Sequence, residues 1–410
     1  MNVHAMTAVN WRSVAALNAV STFAQIAQAG LGFMVLPIWL AHQGLDAPRA
    51  GQFSSAQCAG MLVGLLVAPT LLTRIGAKQT VMLGLAATFV AFAAMGFVSW
   101  PLWIVPGTLI GVGLGLRWIG NETWLYGLVP PESSGRVVGV HEALIATSGV
   151  IAPALATWSD VDGRITFAAG AGFTLLAALP LWFTPYDRRR HVTPRRTSQR
   201  QSVPSRRTLH TLRSWHVEPI DVMVCLGMVV AAVGGLSDGA LFGLLPLFAA
   251  GHGMSGTQTA TLLTILGVGA IALQFPVGWF ADRAGLTAAV VSAAAANTLA
   301  ALGFVLAESS SWQTAASALL LGGSNSAFLT LGMVAAASAG AAQPGRSMRL
   351  ISMSFGLGAI VGPLIAGYAM KAFGSDMLMW LLALLSGALT LYALGVREGS
   401  RRSGRMSSPG

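Results

Sequence analysis

The chain has 410 residues, of which 54% are hydrophobic and only 9% charged. Soluble domains carry roughly 25% charged residues, so an aqueous globule is excluded, whereas a bilayer accepts apolar runs of about 20 residues. The net charge of +10 does not mark a nucleic-acid binder, because the basic residues sit at segment ends and in one loop rather than on a soluble basic face.

Cys58 and Cys225 both lie in apolar runs and read as small packing residues, not as a disulfide framework. Arg12 precedes an apolar run too long for a signal peptide, with no small-residue cleavage site after it, so a retained first helix is expected.

Continuous apolar runs without two-residue alternation predict helices, which satisfy their own backbone groups in lipid. In chain order they are expected over 14–41, 51–72, 79–98, 102–128, 137–157 and 165–185, then over 219–249, 256–281, 287–307, 312–339, 350–372 and 377–396. Turn residues separate them, as at Trp100 and Pro101, at Asp162 and Gly163, and at Gly374. The expected fold is an all-α integral membrane protein of twelve helices. One six-helix bundle covers 1–185, a basic linker 186–217, a second bundle 218–398 and a tail 399–410. The linker, rich in Arg, Ser, Thr and Pro, reads as mostly disordered.

With the N-terminus in the cytoplasm, 20 of the 24 Lys and Arg residues fall on the cytoplasmic side. Arg49, Arg164 and Lys371 fall outside, and Arg117 lies within a helix. By the positive-inside rule both termini are cytoplasmic, in the inner membrane.

The two halves repeat one another. Leu36, Pro37, Ile38 and Trp39 recur as Leu245, Pro246, Leu247 and Phe248, 209 residues later, and Gly44 recurs as Gly253. Arg74 and Gly76 match Arg283 and Gly285 at the same offset. Gly135 and Arg136, before the fifth predicted helix, answer Gly345 and Arg346 before the eleventh. A duplicated six-helix unit with parallel halves follows.

The segment from Gly278 through Asp282, Arg283 and Gly285 resembles the loop signature of the major facilitator superfamily, Gly-x-x-x-Asp-Arg-x-Gly. Gly358, Gly362, Pro363 and Gly367 resemble its glycine-proline signature. Within that superfamily, Leu36 to Ala41, the Trp118, Glu122, Leu125 spacing and Ser134 to Arg136 resemble the YcaD-like transporters. The resemblance implies alternating access between two bundles, gated by Arg74, Gly76, Arg136, Asp282, Arg283, Gly285 and Arg346. Asp282 is then expected to latch against the start of the fifth helix near Arg136. The first-half loop departs from the signature, with Thr73 in place of the acid, so the latch is expected to be lopsided.

A charged side chain at mid-bilayer costs about 2.5–3.5 kcal/mol on insertion scales. Arg117, Glu122, Glu142 and Asp238 must therefore pair or face a watery cavity. Arg117 shares a helical face with Asn121, and Trp118 with Glu122. His141 and Glu142 are expected at similar depth, His141 near the interface. The candidate substrate and proton site is Arg117, Asn121, Glu122, Glu142, Asp238, Gln25 and Asn325. The competing structural reading is an ion pair fixing the fourth helix to the fifth, and for Asp238 the capping of a helix break at Gly234, Gly235 and Gly239. Asn18, Ser21, Gln25 and Gln28 form one polar stripe, expected to wall the cavity. Gly107, Gly111 and Gly115 form a packing face, and Trp100, Trp103 and Trp312 read as interfacial anchors.

These features describe a secondary active transporter, with no cofactor or metal. Its expected partners are a small-molecule substrate, protons and the lipid bilayer, with no nucleic acid, and it is expected to be a monomer. Proton-coupled efflux is favoured, with proton-coupled uptake as the alternative. A membrane enzyme or receptor is remote, since no nucleophile, base and orienter occur together.

Overall fold

The computed structural model describes residues 11–129, 131–158, 162–184, 222–307, 311–338 and 344–406, and within these it contains twelve helices and no strand. In the first half, α1 spans Trp11–His42, α2 Ala47–Arg74, α3 Ala77–Met95 and α4 Ile104–Leu128. Next come α5, in two pieces (Pro131–Ala146 and Ser148–Trp158), and α6, Gly163–Phe183. The second half holds α7 Val222–Gly251, α8 Gly256–Ala284, α9 Leu286–Leu306, α10 Trp312–Ser338, α11 Pro344–Phe373 and α12 Met377–Met406. The basic linker 186–217 lies outside the described residues. Eleven of these helices are long and apolar enough to cross a bilayer. The one that falls short is α4, which carries Arg117, Asn121 and Glu122.

Three helices are longer than their apolar runs predict. Helices α5 and α11 begin at Pro131 and Pro344, and α12 continues to Met406. Hydropathy reports only the part of a helix that lipid covers, and proline suits a first helical position because its missing N–H has no partner there anyway. Arg136 and Arg346 therefore lie within the opening turns of their helices rather than before them.

The duplication is written in the backbone. Gly44 and Gly253 have φ of 79° and 71°, and Gly76 and Gly285 have 92° and 86°, each pair 209 residues apart. Positive φ at these turns is cheap only for glycine. Close packing repeats too: a Cβ on Gly60 of α2 would collide with the Thr108 carbonyl of α4, and one on Gly269 of α8 with the Leu319 carbonyl of α10. Gly111 meets the Gln57 carbonyl in the same way. Helix α7 runs unbroken, so Gly234, Gly235 and Gly239 do not mark a break. Gly235 and Gly239 instead let α7 approach the Phe355 and Ala359 carbonyls of α11.

Helix α1 changes register midway. Ile26–Val35 is π-helical, and the Leu36 N–H bonds to Leu31 O, five residues back. Pro37 follows, and its missing N–H breaks the ordinary ladder there.

The halves meet away from the ends that lead into the linker. Ser55 Oγ of α2 donates to Ile360 O of α11 at 2.6 Å, and Gln52 Nε2 reaches Tyr368 Oη at 3.3 Å. Lys371 Nζ stands 3.9 Å from Asp46, which also caps α2. A Cβ on Gly51 would collide with Pro363 O, and one on Gly267 of α8 with Gly149 O, in the second piece of α5. The first piece of α5 barely touches α8, and at that end Phe275 and Trp279 are exposed, with open space beside Gly278. The cleft between the halves thus opens toward the linker face. Trp103 is a correction: it is buried edge-on against Trp39, with ring centroids 5.2 Å apart, and belongs to the core.

A Gly51→Val substitution is expected to hold the far face apart, because Pro363 O belongs to a rigid backbone. Spin labels on the loops 43–46 and 374–376 then show a longer-distance population. An unchanged distribution contradicts this account of closure.

Candidate functional site

Two polar clusters lie near the middle of the membrane span, one in each half. In the first, Arg117 stands about midway along α4 and is only 2% exposed. Its Nε donates to Gln28 Oε1 at 3.0 Å, and Nη2 donates to Gln25 Oε1. Gln28 Nε2 donates in turn to Thr88 Oγ1 of α3 at 2.7 Å, and Thr88 donates to Gly84 O at 3.0 Å. One turn on, Asn121 Nδ2 donates to Ser21 Oγ at 2.7 Å and to Leu17 O at 3.1 Å. One face of α4 is thereby tied to α1. Among the described residues Arg117 has no carboxylate within 4.0 Å, so the ion pair between the fourth and fifth helices does not form. The cost of the charge is met by amide oxygens, which accept charge-assisted bonds.

The stripe Asn18, Ser21, Gln25 and Gln28 is accordingly an interhelical seam, buried except at Gln25, and of its members Asn18 also borders a cavity between α1 and α5. His141, expected near the interface, is buried at 1% exposure. Its Nδ1 lies 2.9 Å from Asn18 Oδ1, and Asn18 Nδ2 already donates to Val14 O, so the imidazole Nδ1 carries the hydrogen. The His141 ring also meets Tyr126 edge-on at 6.2 Å.

A second face of α4 carries Trp118, Glu122 and Tyr126 at successive turns. Trp118 Nε1 donates to Glu122 Oε1, and Glu122 is half-buried. Glu142, next to His141 on α5, is exposed. Both carboxylates lie within Coulombic reach of Tyr126.

In the second half, half-buried Asp238 sits near the middle of α7, and Asn325 Nδ2 of α10 donates to its Oδ1 at 3.1 Å. Asp238 adjoins the boundary between halves: Ser54 Oγ of α2 donates to Gly239 O at 3.3 Å. Asn325 Oδ1, Asn121 Oδ1 and Gln57 Oε1 are buried acceptors with no partner among the described residues.

Of the gating residues, Gly76 and Gly285 form the tight turns already described. Asp282, Arg283 and Arg74 are exposed, and Arg346 is half-buried. Arg283 lies over the Trp279 ring at 4.2 Å. The Arg136 side chain lies outside the described residues, and Asp282 makes no ion pair among those described. Gln28, Thr88 and the far-face pair Asp46 and Lys371 lie outside the candidate set that the sequence defines. The stripe spacing marks Gln28, whereas nothing in the sequence joins Asp46 to Lys371 across 325 positions.

Duplicated bundles joined at one face, with charges held at mid-span between them, define a polytopic membrane transporter. The chain belongs to the Major Facilitator Superfamily, whose family model matches residues 17–233 and 227–408. It is 26% identical over 257 residues to the uncharacterized MFS-type transporter YcaD of Escherichia fergusonii, covering 61% of this chain and 62% of that protein. A similar MFS-type transporter of Enterobacter sp. (strain 638) matches at 26% over 255 residues, again 61% and 62%. The match thus spans a little under two thirds of these relatives. In fold, the chain resembles the nucleoside transporter NupG with a TM-score of 0.72 at 13% identity, over 93% and 98% of the two chains. It also resembles a bacterial homologue of the human lysosomal transporter Spinster, solved inward-facing and unoccupied, at 0.69 and 14%, over 94% and 97%.

If Gln28 meets the cost of the buried guanidinium, Gln28→Leu destabilises the protein by about 1.5–3 kcal/mol, the worth of a hydrogen bond to a charged group. Arg117→Met added to Gln28→Leu recovers most of the loss. Melting of the purified chain in detergent checks both, and an unchanged midpoint for Gln28→Leu contradicts the assignment.

Proposed function

We propose that the protein is a secondary active transporter that exports a small organic solute across the cytoplasmic membrane in exchange for protons. Both termini and the linker face lie in the cytoplasm, as the 20-to-3 distribution of basic residues argues. The observation that carries this reading is that three carboxylates within the helices, Glu122, Glu142 and Asp238, form no ion pair among the described residues, and on this reading they border the cleft between the halves. An acid that is alternately reachable from each side is what proton coupling requires. Arg117, tied to α1 by Gln25 and Gln28, sets the position of α4, and Asn121 holds the same seam. Glu122 is the principal proton carrier, with Trp118 orienting it.

A toxicity screen of a deletion strain identifies solutes to load into proteoliposomes. A pH jump should then drive net solute movement opposite to the proton gradient. Glu122→Gln is expected to abolish pH-driven net flux while leaving a folded, monodisperse protein. Retention of both the flux and its pH dependence rejects Glu122 as the carrier, and solute moving with the protons rejects efflux in favour of uptake.

The linker-face latch is assigned to Asp282, meeting the N-terminal turns of α5 when that face closes. A carboxylate at a helix N-terminus gains roughly 0.3–1 kcal/mol. Asp282→Asn is therefore expected to enlarge the linker-face-open population several-fold by spin-label distances, and an unchanged distribution removes the latch.

A further inference from the structure

Of the charged groups assigned to the site, those that are not enclosed are all acidic. Arg117 is enclosed, with two of its three nitrogens spent on Gln25 and Gln28. Glu142 is exposed, and Glu122 and Asp238 are half-buried.

The chemistry at Asp238 is more specific than its charge. An ionised carboxylate only accepts hydrogen bonds, so the amide of Asn325 must turn its Nδ2 toward it, as the 3.1 Å contact has it. That orientation turns Asn325 Oδ1 away from the carboxylate, where it is buried and accepts nothing, the residue being only 5% exposed. Among the described residues Asp238 has no cationic partner, and only Asn325 donates to it. Apart from the one Asn325 Nδ2 hydrogen, these two neighbouring acceptors, one of them charged, thus have no donor among the described residues. An unsatisfied buried acceptor is destabilising, and a bound donor removes that cost.

We infer that the transported solute is an organic cation carrying a protonated amine, whose N–H groups dock on the Asp238 carboxylate and on Asn325 Oδ1. This rests on the transport reading above and narrows its substrate to one class. The site lies against the other half, where Ser54 of α2 holds Gly239 O, so an amine seated there bears on the contact between the halves.

The test uses the full chain in nanodiscs, with phenethylammonium as the probe. Its comparators are phenylacetate, phenethyl alcohol and the quaternary phenethyltrimethylammonium, which keeps the charge but has no N–H. Saturable binding of phenethylammonium, with the other three weaker by about tenfold or more, supports the inference; tenfold is the scale of one charge-assisted hydrogen bond. Asp238→Asn and Asn325→Leu should each weaken the amine about tenfold, and the second keeps the test valid should the first fold poorly. Absence of saturable amine binding, or equal binding of phenylacetate, overturns the inference. So does amine affinity within twofold of the parent in both variants. Spin-label distances across the two faces, taken without any ligand, show whether the halves still open alternately. A failed amine test with intact opening thus rejects the substrate class and leaves the transport reading standing.

Discussion

A charge in the middle of a bilayer must be satisfied by the protein itself, and much of this molecule's first half is arranged around one such charge. Arg117 is enclosed without a carboxylate and held by the amide oxygens of Gln25 and Gln28. Those amides come from the start of the π-helical stretch of α1, where the wider turn loosens the regular ladder. Gln28 is held in turn by Thr88 of α3, so a single guanidinium ties three helices together. That arrangement leaves Glu122, on the other face of α4, without an ion pair among the described residues.

The second constraint is steric. Glycines place backbone against backbone both within each half and across the far face, as Gly60 does against Thr108 and Gly51 against Pro363. Contacts of this kind are short and unyielding, because a carbonyl cannot rotate away as a side chain can. They favour two rigid bodies that rock about one another over a hinge that bends. Of the polar bonds between the halves, Gln52 to Tyr368 and Lys371 to Asp46 are exposed, whereas Ser54 to Gly239 is buried and Ser55 to Ile360 partly buried; a surface pair such as Lys371 and Asp46 is worth about 0–1 kcal/mol.

The sequence made the architecture legible because lipid imposes a length and a polarity on every spanning helix, and because the duplication preserved turn glycines at a constant offset. It was less informative wherever a helix leaves the bilayer, since water places no hydropathy limit on Pro131, Pro344 or the end of α12. Within the site, helical spacing correctly paired Trp118 with Glu122 and Arg117 with Asn121 on separate faces. It could not tell which neighbour each face would meet. Gln28 and Gln25 look like a cavity wall when α1 is read alone, and become the partners of Arg117 only once α4 packs on them. His141 differs from its expected place for a related reason: the early start of α5 moves it from a helix beginning to the third turn, and Asn18 then encloses it. Asp46 and Lys371 meet only in three dimensions.

The account stands on the two faces of one cleft being open in turn and never together. With Cys58 and Cys225 replaced by serine, single cysteines at Phe280 on the linker face and at Leu45 on the far face can be challenged in membranes with an impermeant thiol reagent. Labelling at Phe280 with protection at Leu45, reversed when Gly51→Val holds the far face apart, is the predicted result. Simultaneous labelling of both positions at full rate would describe a pore, and would contradict it.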